Sequence, residues 1–209
     1  ETKPGSGVTR GRRAPIAGIL VSLAAIVVLG LAFGYFVGGR STPAASPPSF
    51  RRLTFHHGTI FGARFVRNDR SLVYGASWEG NPTRVYSVIP GTPESRALTA
   101  DSTGLLAVST SGDMALKLRP RRYNPVETDG VLARAPFAGG VPREILEGVI
   151  YADWSPDGGS LAVARRLDGR LQLEYPIGKV LYTTRGWIAD PRVSPRGDRI
   201  AFLDHPLEG

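Results

Sequence analysis

The stretch WSPDGGSLAVAR, residues 154–165, decides how this chain is read. Trp154 is an apolar residue of the kind that ends a strand, a polar turn follows, and LAVAR begins a second strand. In Ser155-Pro156-Asp157-Gly158, proline pre-sets φ for a tight turn, Asp can bond its own backbone, and Gly accepts positive φ. The phrase returns as VSPRGDRI at residues 193–200, with Pro195 and Gly197 in the turn. Degenerate copies stand at residues 65–72 (FVRNDRSL) and 108–115 (VSTSGDMA), with turns centred on Asp69 and Gly112. Phe65, Val108, Trp154 and Val193 open the four copies and are expected in the core. The copies lie about 40 residues apart, the period of a propeller blade built from four short strands.

A second phrase precedes each copy: RRLTF at residues 51–55, RALTA at 96–100, REILE at 143–147 and KVLYTT at 179–184. These read as outer blade strands, just before the chain steps to the next blade. Together the repeats predict an all-β fold, a partial β-propeller of about three and a half four-stranded blades over residues 50–209. Strands are expected near residues 59–66, 71–77, 83–89, 104–109, 113–118, 130–136, 149–154, 160–165, 179–183, 188–193 and 199–203. A closed propeller has typically 4–8 blades. The chain is therefore expected to be a piece of a larger protein, with residues 51–55 pairing with a last blade only when the ring is complete.

Upstream, residues 14–39 (APIAGILVSLAAIVVLGLAFGYFVGG) carry no charge. About 20 apolar residues span a bilayer as a helix, so a single transmembrane α-helix is expected over 14–39. A cleaved signal peptide is the rival reading, with Ala44, Ala45 and Ser46 as small residues near a cleavage site. Lys3, Arg10, Arg12 and Arg13 on the N-terminal side, against Arg40 just beyond, place residues 1–13 in the cytoplasm. The propeller is then expected outside a bacterial inner membrane, on a Pro/Ser/Ala-rich tether of residues 40–49. Gly30, Gly34 and Gly38 recur every four residues, a pattern that lets two membrane helices pack closely into a homodimer, though glycine is common in such helices.

The formal charge of +8 divides evenly, +4 in residues 1–49 and +4 in the remainder. Half of the excess thus lies in a cluster suited to anionic lipid headgroups. No nucleic-acid-binding signature is present, and no nucleic acid is expected as a partner. The absence of cysteine removes disulfides, thiol nucleophiles and thiolate metal sites. His56 and His57 are adjacent, so in extended chain they point to opposite sides and do not chelate. GxSxG, GxxxxGK[ST] and kinase signatures are all lacking. No catalytic residue, metal or cofactor is expected. Trp78 and Trp187 flank turns and read as blade packing, and the long loops at residues 76–84 and 118–130 are where an unknown protein or small-molecule ligand would be met.

WSPDGGSLAVAR and VSPRGDRIAFL resemble the WD40-like repeats of the TolB-type β-propeller, and the pairs Leu53-Thr54 and Leu98-Thr99 fit that family's repeat ending. The segments at residues 53–80 and 173–206 are similar to the propellers of bacterial receptor-type serine/threonine protein kinases, in which the kinase precedes a membrane helix. The resemblance implies a non-catalytic sensory or protein-interaction module. A membrane-tethered transcription regulator, or a propeller gating a prolyl-oligopeptidase-type hydrolase, are the other architectures that carry such a propeller.

Overall fold

A computed structural model describes residues 25–35, 48–66, 70–92, 94–122 and 128–207. Residues 25–35 form a helix, α1. Its eleven residues rise about 16 Å at 1.5 Å each, roughly half of a hydrocarbon core of about 30 Å. Among the described residues no helix is long and apolar enough to cross a membrane. This corrects two expectations, the transmembrane helix over 14–39 and the single-pass placement with a cytoplasmic N-terminus. An uncharged run supplies hydrophobicity, but a span also needs helix length. Gly30 and Gly34 lie on α1, and an added Cβ would meet nothing within 4 Å at either. Gly38 lies outside the described residues, as does Asp69.

The chain divides into two compact units, Glu1–Phe50 and Arg51–Gly209. Thirteen strands are described in the second unit, and they fall into blades by order of pairing. Blade 1 holds β1 (Gly58–Phe65), β2 (Leu72–Trp78), β3 (Arg84–Val88) and β4 (Ser95–Ala97). Blade 2 holds β5 (Thr103–Val108), β6 (Asp113–Arg122), β7 (Thr128–Pro136) and the first part of β8 (Arg143–Trp154). Blade 3 holds the last part of β8, β9 (Leu161–Leu167), β10 (Arg170–Glu174) and β11 (Val180–Thr184). β12 (Trp187–Val193) and β13 (Ile200–His205) make a two-stranded fourth blade. All pairings between these strands are antiparallel.

Strand β8 serves two blades. Arg143, Glu144 and Leu146 pair with β7, whereas Tyr151 to Trp154 pair with β9, and Val149 pairs with both. The sequence phrase REILE and the strand before the Trp154 turn are thus one continuous element rather than two. Residues 51–55 carry the outer-strand phrase but form no strand. They lead into the far face of blade 1, where the His56 ring lies 5.5 Å from Trp78 and the Glu79 amide donates to the His57 carbonyl at 2.9 Å.

The first strands of successive blades are neighbours: β1 beside β5, β5 beside β8, β8 beside β12. This is the arrangement of inner strands around a propeller axis. Each junction between blades has its own apolar cluster. Val73 and Val85 of blade 1 meet Met114, Leu116 and Ala135 of blade 2. Leu106, Ala115 and Leu132 of blade 2 meet Ala152, Trp154, Leu161 and Val163. Ile150, Leu171 and Leu173 of blade 3 meet Ile188, with Ile200 and Phe202 at the margin. Alternation along each strand sends one set of side chains to the blade before and the other to the blade after. Each fully buried Leu or Ile contributes roughly 1.5–3 kcal/mol, so the stacking of blades carries the stability.

The residues that open the repeat do not share one environment. Trp154 is 7% exposed, Val108 and Val193 are half-buried, and Phe65 is 76% exposed. Phe65 sits opposite Leu72, on the blade 1 face that turns away from blade 2, and Val66 is the buried residue instead. The two positions should respond differently to truncation. Trp154→Ala should lower unfolding stability by about 3–5 kcal/mol, whereas Phe65→Ala should change it by no more than about 0.5 kcal/mol. Urea titration followed by tryptophan-independent circular dichroism measures both, and equal losses would contradict the blade assignment.

Candidate interaction surface

In blades 2, 3 and 4 the turns that join the first two strands share a bonding scheme. The Asp113 amide donates to Ser109 Oγ at 2.9 Å, the Ser160 amide to Ser155 Oγ at 2.8 Å, and the Arg199 amide to Ser194 Oγ at 3.2 Å. A carboxylate accepts in each turn from a serine, Asp113 from Ser111, Asp157 from Ser155 and Asp198 from Ser194. Gly112, Gly158 and Gly197 have φ of 89°, 70° and 74°, so glycine is needed at the place the sequence pattern gives it. The serine was not singled out among the turn residues Pro156, Asp157, Gly158, Pro195 and Gly197. It was legible, because Ser109, Ser155 and Ser194 follow the opening residue in three of the four copies.

These turns also touch one another. Thr110 Oγ1 donates to the Pro156 carbonyl at 3.1 Å, and an added Cβ on Gly158 would lie 3.4 Å from Ser109 Cβ and Ser111 Oγ. A Cβ on Gly197 would lie 3.5 Å from Pro156 Cδ. The result is a polar rim running from blade 2 to blade 4, with Pro156, Asp157 and Pro195 exposed on it.

Charged side chains gather on the inner strands. The Val193 amide on β12 donates to Asp153 Oδ2 on β8 at 2.9 Å, so a backbone donor of one blade is satisfied by a carboxylate of the blade before. Arg64 on β1 feels Arg192, Asp153 and Asp190 electrostatically. Its guanidinium is held below the usual arginine value first by burial and then by the like charge of Arg192, with the two carboxylates opposing. Arg192 in turn reaches Asp190 at 3.7 Å. None of these four was a sequence candidate. Arg64, Asp153 and Arg192 each stand one place before the opening residue of a repeat, which is the signal that was there to read.

Elsewhere the charges hold structure. Glu174 is fully buried, accepts from Arg165 Nε at 2.5 Å and from the Gly178 amide at 2.7 Å, and so closes the turn between β10 and β11. Arg134 pairs with Asp113 at 2.6 Å and lies over the Trp154 ring at 5.3 Å, which ties blade 2 to blade 3. Trp187 stacks on His205 with ring centroids 4.5 Å apart, and Trp78 lies tilted against His56 at 5.5 Å. Between blades 1 and 2 a groove of about 440 Å³ has Met114, Leu116 and Leu118 on its apolar wall and Asp101 and Arg119 at its rim. Asp101 and Arg119 are engaged with Arg84 and Glu144, so the rim carries balanced charge.

No family model and no curated protein matches the sequence. Among solved structures the chain is similar to TolB from Acinetobacter baumannii, with a TM-score of 0.50 and 17% sequence identity. The fold is TolB-like. The likeness covers 66% of this chain and 36% of TolB, so the chain spans little more than a third of that protein's length. At this identity the likeness is one of architecture, and it agrees with the blade order derived from pairing and packing.

The rim gives a prediction at Asp157. Its carboxyl is held below the usual carboxylate range, first by the Ser155 hydroxyl and then by the Gly159 amide. A depressed folded value contributes stability above the unfolded value, near pH 4, and loses it as pH falls through the folded one. Asp157→Asn should therefore lower the urea midpoint at pH 7 but leave it less sensitive to acid than the wild type as pH falls below about 4. Parallel acid curves would contradict the turn geometry. At Gly158, Val should destabilise by about 1–3 kcal/mol through positive φ.

Proposed function

We propose that the propeller unit is a protein-binding module without chemistry of its own, and that it is the sensory part of a larger signalling protein. The observation that carries the binding role is the bond of Asp153 on β8 to the Val193 amide on β12, beside the Asp190–Arg192 ion pair and within electrostatic range of Arg64 on β1. Residues so distant in sequence come within electrostatic range only because the blades stack, and packed strands hold them more rigidly than loops would. Such a cluster offers both signs of charge to an incoming peptide, and charge complementarity governs specificity and encounter rate. The TolB-like fold supports an interaction role over a catalytic one. The similarity of residues 53–80 and 173–206 to propellers of bacterial serine/threonine kinases supports a kinase as the catalytic part of the same polypeptide.

Two measurements test this. A peptide-array screen against the full 209-residue chain should yield ligands whose affinity falls at least about tenfold, or 1.4 kcal/mol, on Arg64→Glu or Arg192→Glu. The exposed Arg122→Glu should leave it unchanged. Ligands indifferent to both axial variants, or peptides recovered cleaved by mass spectrometry, would overturn the reading. For the catalytic part, the complete reading frame should encode HRD and DFG motifs upstream. A helix-turn-helix there, or GxSxG downstream, would replace the kinase.

A further inference from the structure

We infer that the groove between blades 1 and 2 is a binding site for a compact, uncharged small molecule that is apolar over most of its surface. Each of these two blades has all four of its strands. The buried side chains of Met114 and Leu116 form the floor of the groove and belong to the cluster that joins the blades. Leu98, Leu118 and Pro142 are half-buried along its sides, and Val141 stands 92% exposed at its lip. Its volume of about 440 Å³ lies within the roughly 300–1,000 Å³ of small-molecule sites.

The ends of the groove set the shape of its occupant. At one end the chain crosses from blade 1 to blade 2, and the Arg119 amide donates to the Ser102 carbonyl at 3.0 Å. Ser102 and Arg119 have φ of 56° and 49°, in the left-handed region that side chains other than glycine rarely take. Such conformations persist where the surroundings over-determine them, and they cluster at ligand sites. At the other end stands the loop from Pro136 to Pro142, where the Gly139 amide donates to the Pro136 carbonyl at 3.1 Å. Met114 pairs with Ala135 beside that loop, and Leu118 precedes Arg119, so the floor between the two ends is roughly 13 Å long at 3.3 Å per residue. An extended peptide would have to climb over both ends, and β4, with three residues, offers it little edge to pair with. A compact molecule needs neither.

Charge sets its chemistry. The charged residues that line the groove are Asp101 and Arg119. Asp101 is paired with Arg84, and Arg119 with Glu144 at 2.7 Å. A charged ligand would find no free counter-charge and would lose hydration against apolar walls. An uncharged one keeps its solvation balance and takes Val141 and Leu118 out of water. None of the lining residues lies on β1, β8 or β12, so the site is independent of the axial charges, and a propeller that binds no peptide should still bind here.

The test uses two fluorescent probes with the same aromatic rings, neutral N-phenyl-naphthylamine and the anionic anilinonaphthalene sulfonate. Met114 is the single methionine of the sequence, so an isotope-labelled methionine methyl reports on the groove floor alone. Titrated into the full 209-residue chain, the neutral probe should bind saturably and shift the Met114 methyl signal in step. The sulfonate should bind at least about tenfold more weakly. Val141→Asp, at a position exposed enough to leave folding unchanged, should weaken the neutral probe by a similar factor. Ile89→Asp, at an exposed apolar residue outside the groove, should not. No saturable binding, binding that leaves the Met114 methyl unmoved, equal affinity for the sulfonate, or undiminished binding to the Val141→Asp chain would each overturn the inference.

Discussion

Strand β8 must serve two blades at once, and the rest of the propeller depends on how it does so. At Gly148 φ is +72°, and an added Cβ would stand 2.7 Å from the Arg166 carbonyl oxygen. Only glycine meets both demands, a left-handed backbone and contact with the next strand. The register with β7 slips between Gly130 and Ala133, and the register with β9 slips between Val149 and Tyr151. The chain can thus leave the outer edge of blade 2 and become the inner strand of blade 3 within one element. That path delivers Trp154 to the junction, under Arg134 and against Leu106 and Leu132.

The shared strand also shapes what the surface can do. Blades fixed to one another hold their turns in line, so the serine-closed turns form a continuous rim instead of separate loops. They also hold inner-strand side chains in register, which is how Asp153 reaches the Val193 amide across a blade boundary. Binding surfaces of this kind require little ordering on contact, because packing has already fixed their geometry.

Much of this was legible in the residues. The turn phrases gave the period of the blades because proline and glycine leave a tight turn few conformations, and Gly112, Gly158 and Gly197 all take positive φ. The apolar run of residues 14–39 misled, since absence of charge was read as length of helix, and the described helix covers 25–35 only. Strand β10 was missed because RLQLE lacks β-branched residues and ends on Glu174, which reads as solvated until Arg165 and the Gly178 amide are seen around it. Phe65 fits the repeat but faces away from blade 2, a distinction that needs the pairing of β1 with β2. The axial charges come from strands about 40 to 130 residues apart, so only the stacking of blades shows that they lie near one another.

The central claim is that a strand held in common makes blades 2 and 3 one cooperative unit. Native-state hydrogen exchange in low denaturant tests this most directly. The account predicts that amides of β6 and β9 open with the same free energy, and that Gly148→Ala lowers both by the same amount. Opening of β6 and β9 at different free energies, with Gly148→Ala lowering only one of them, would contradict it.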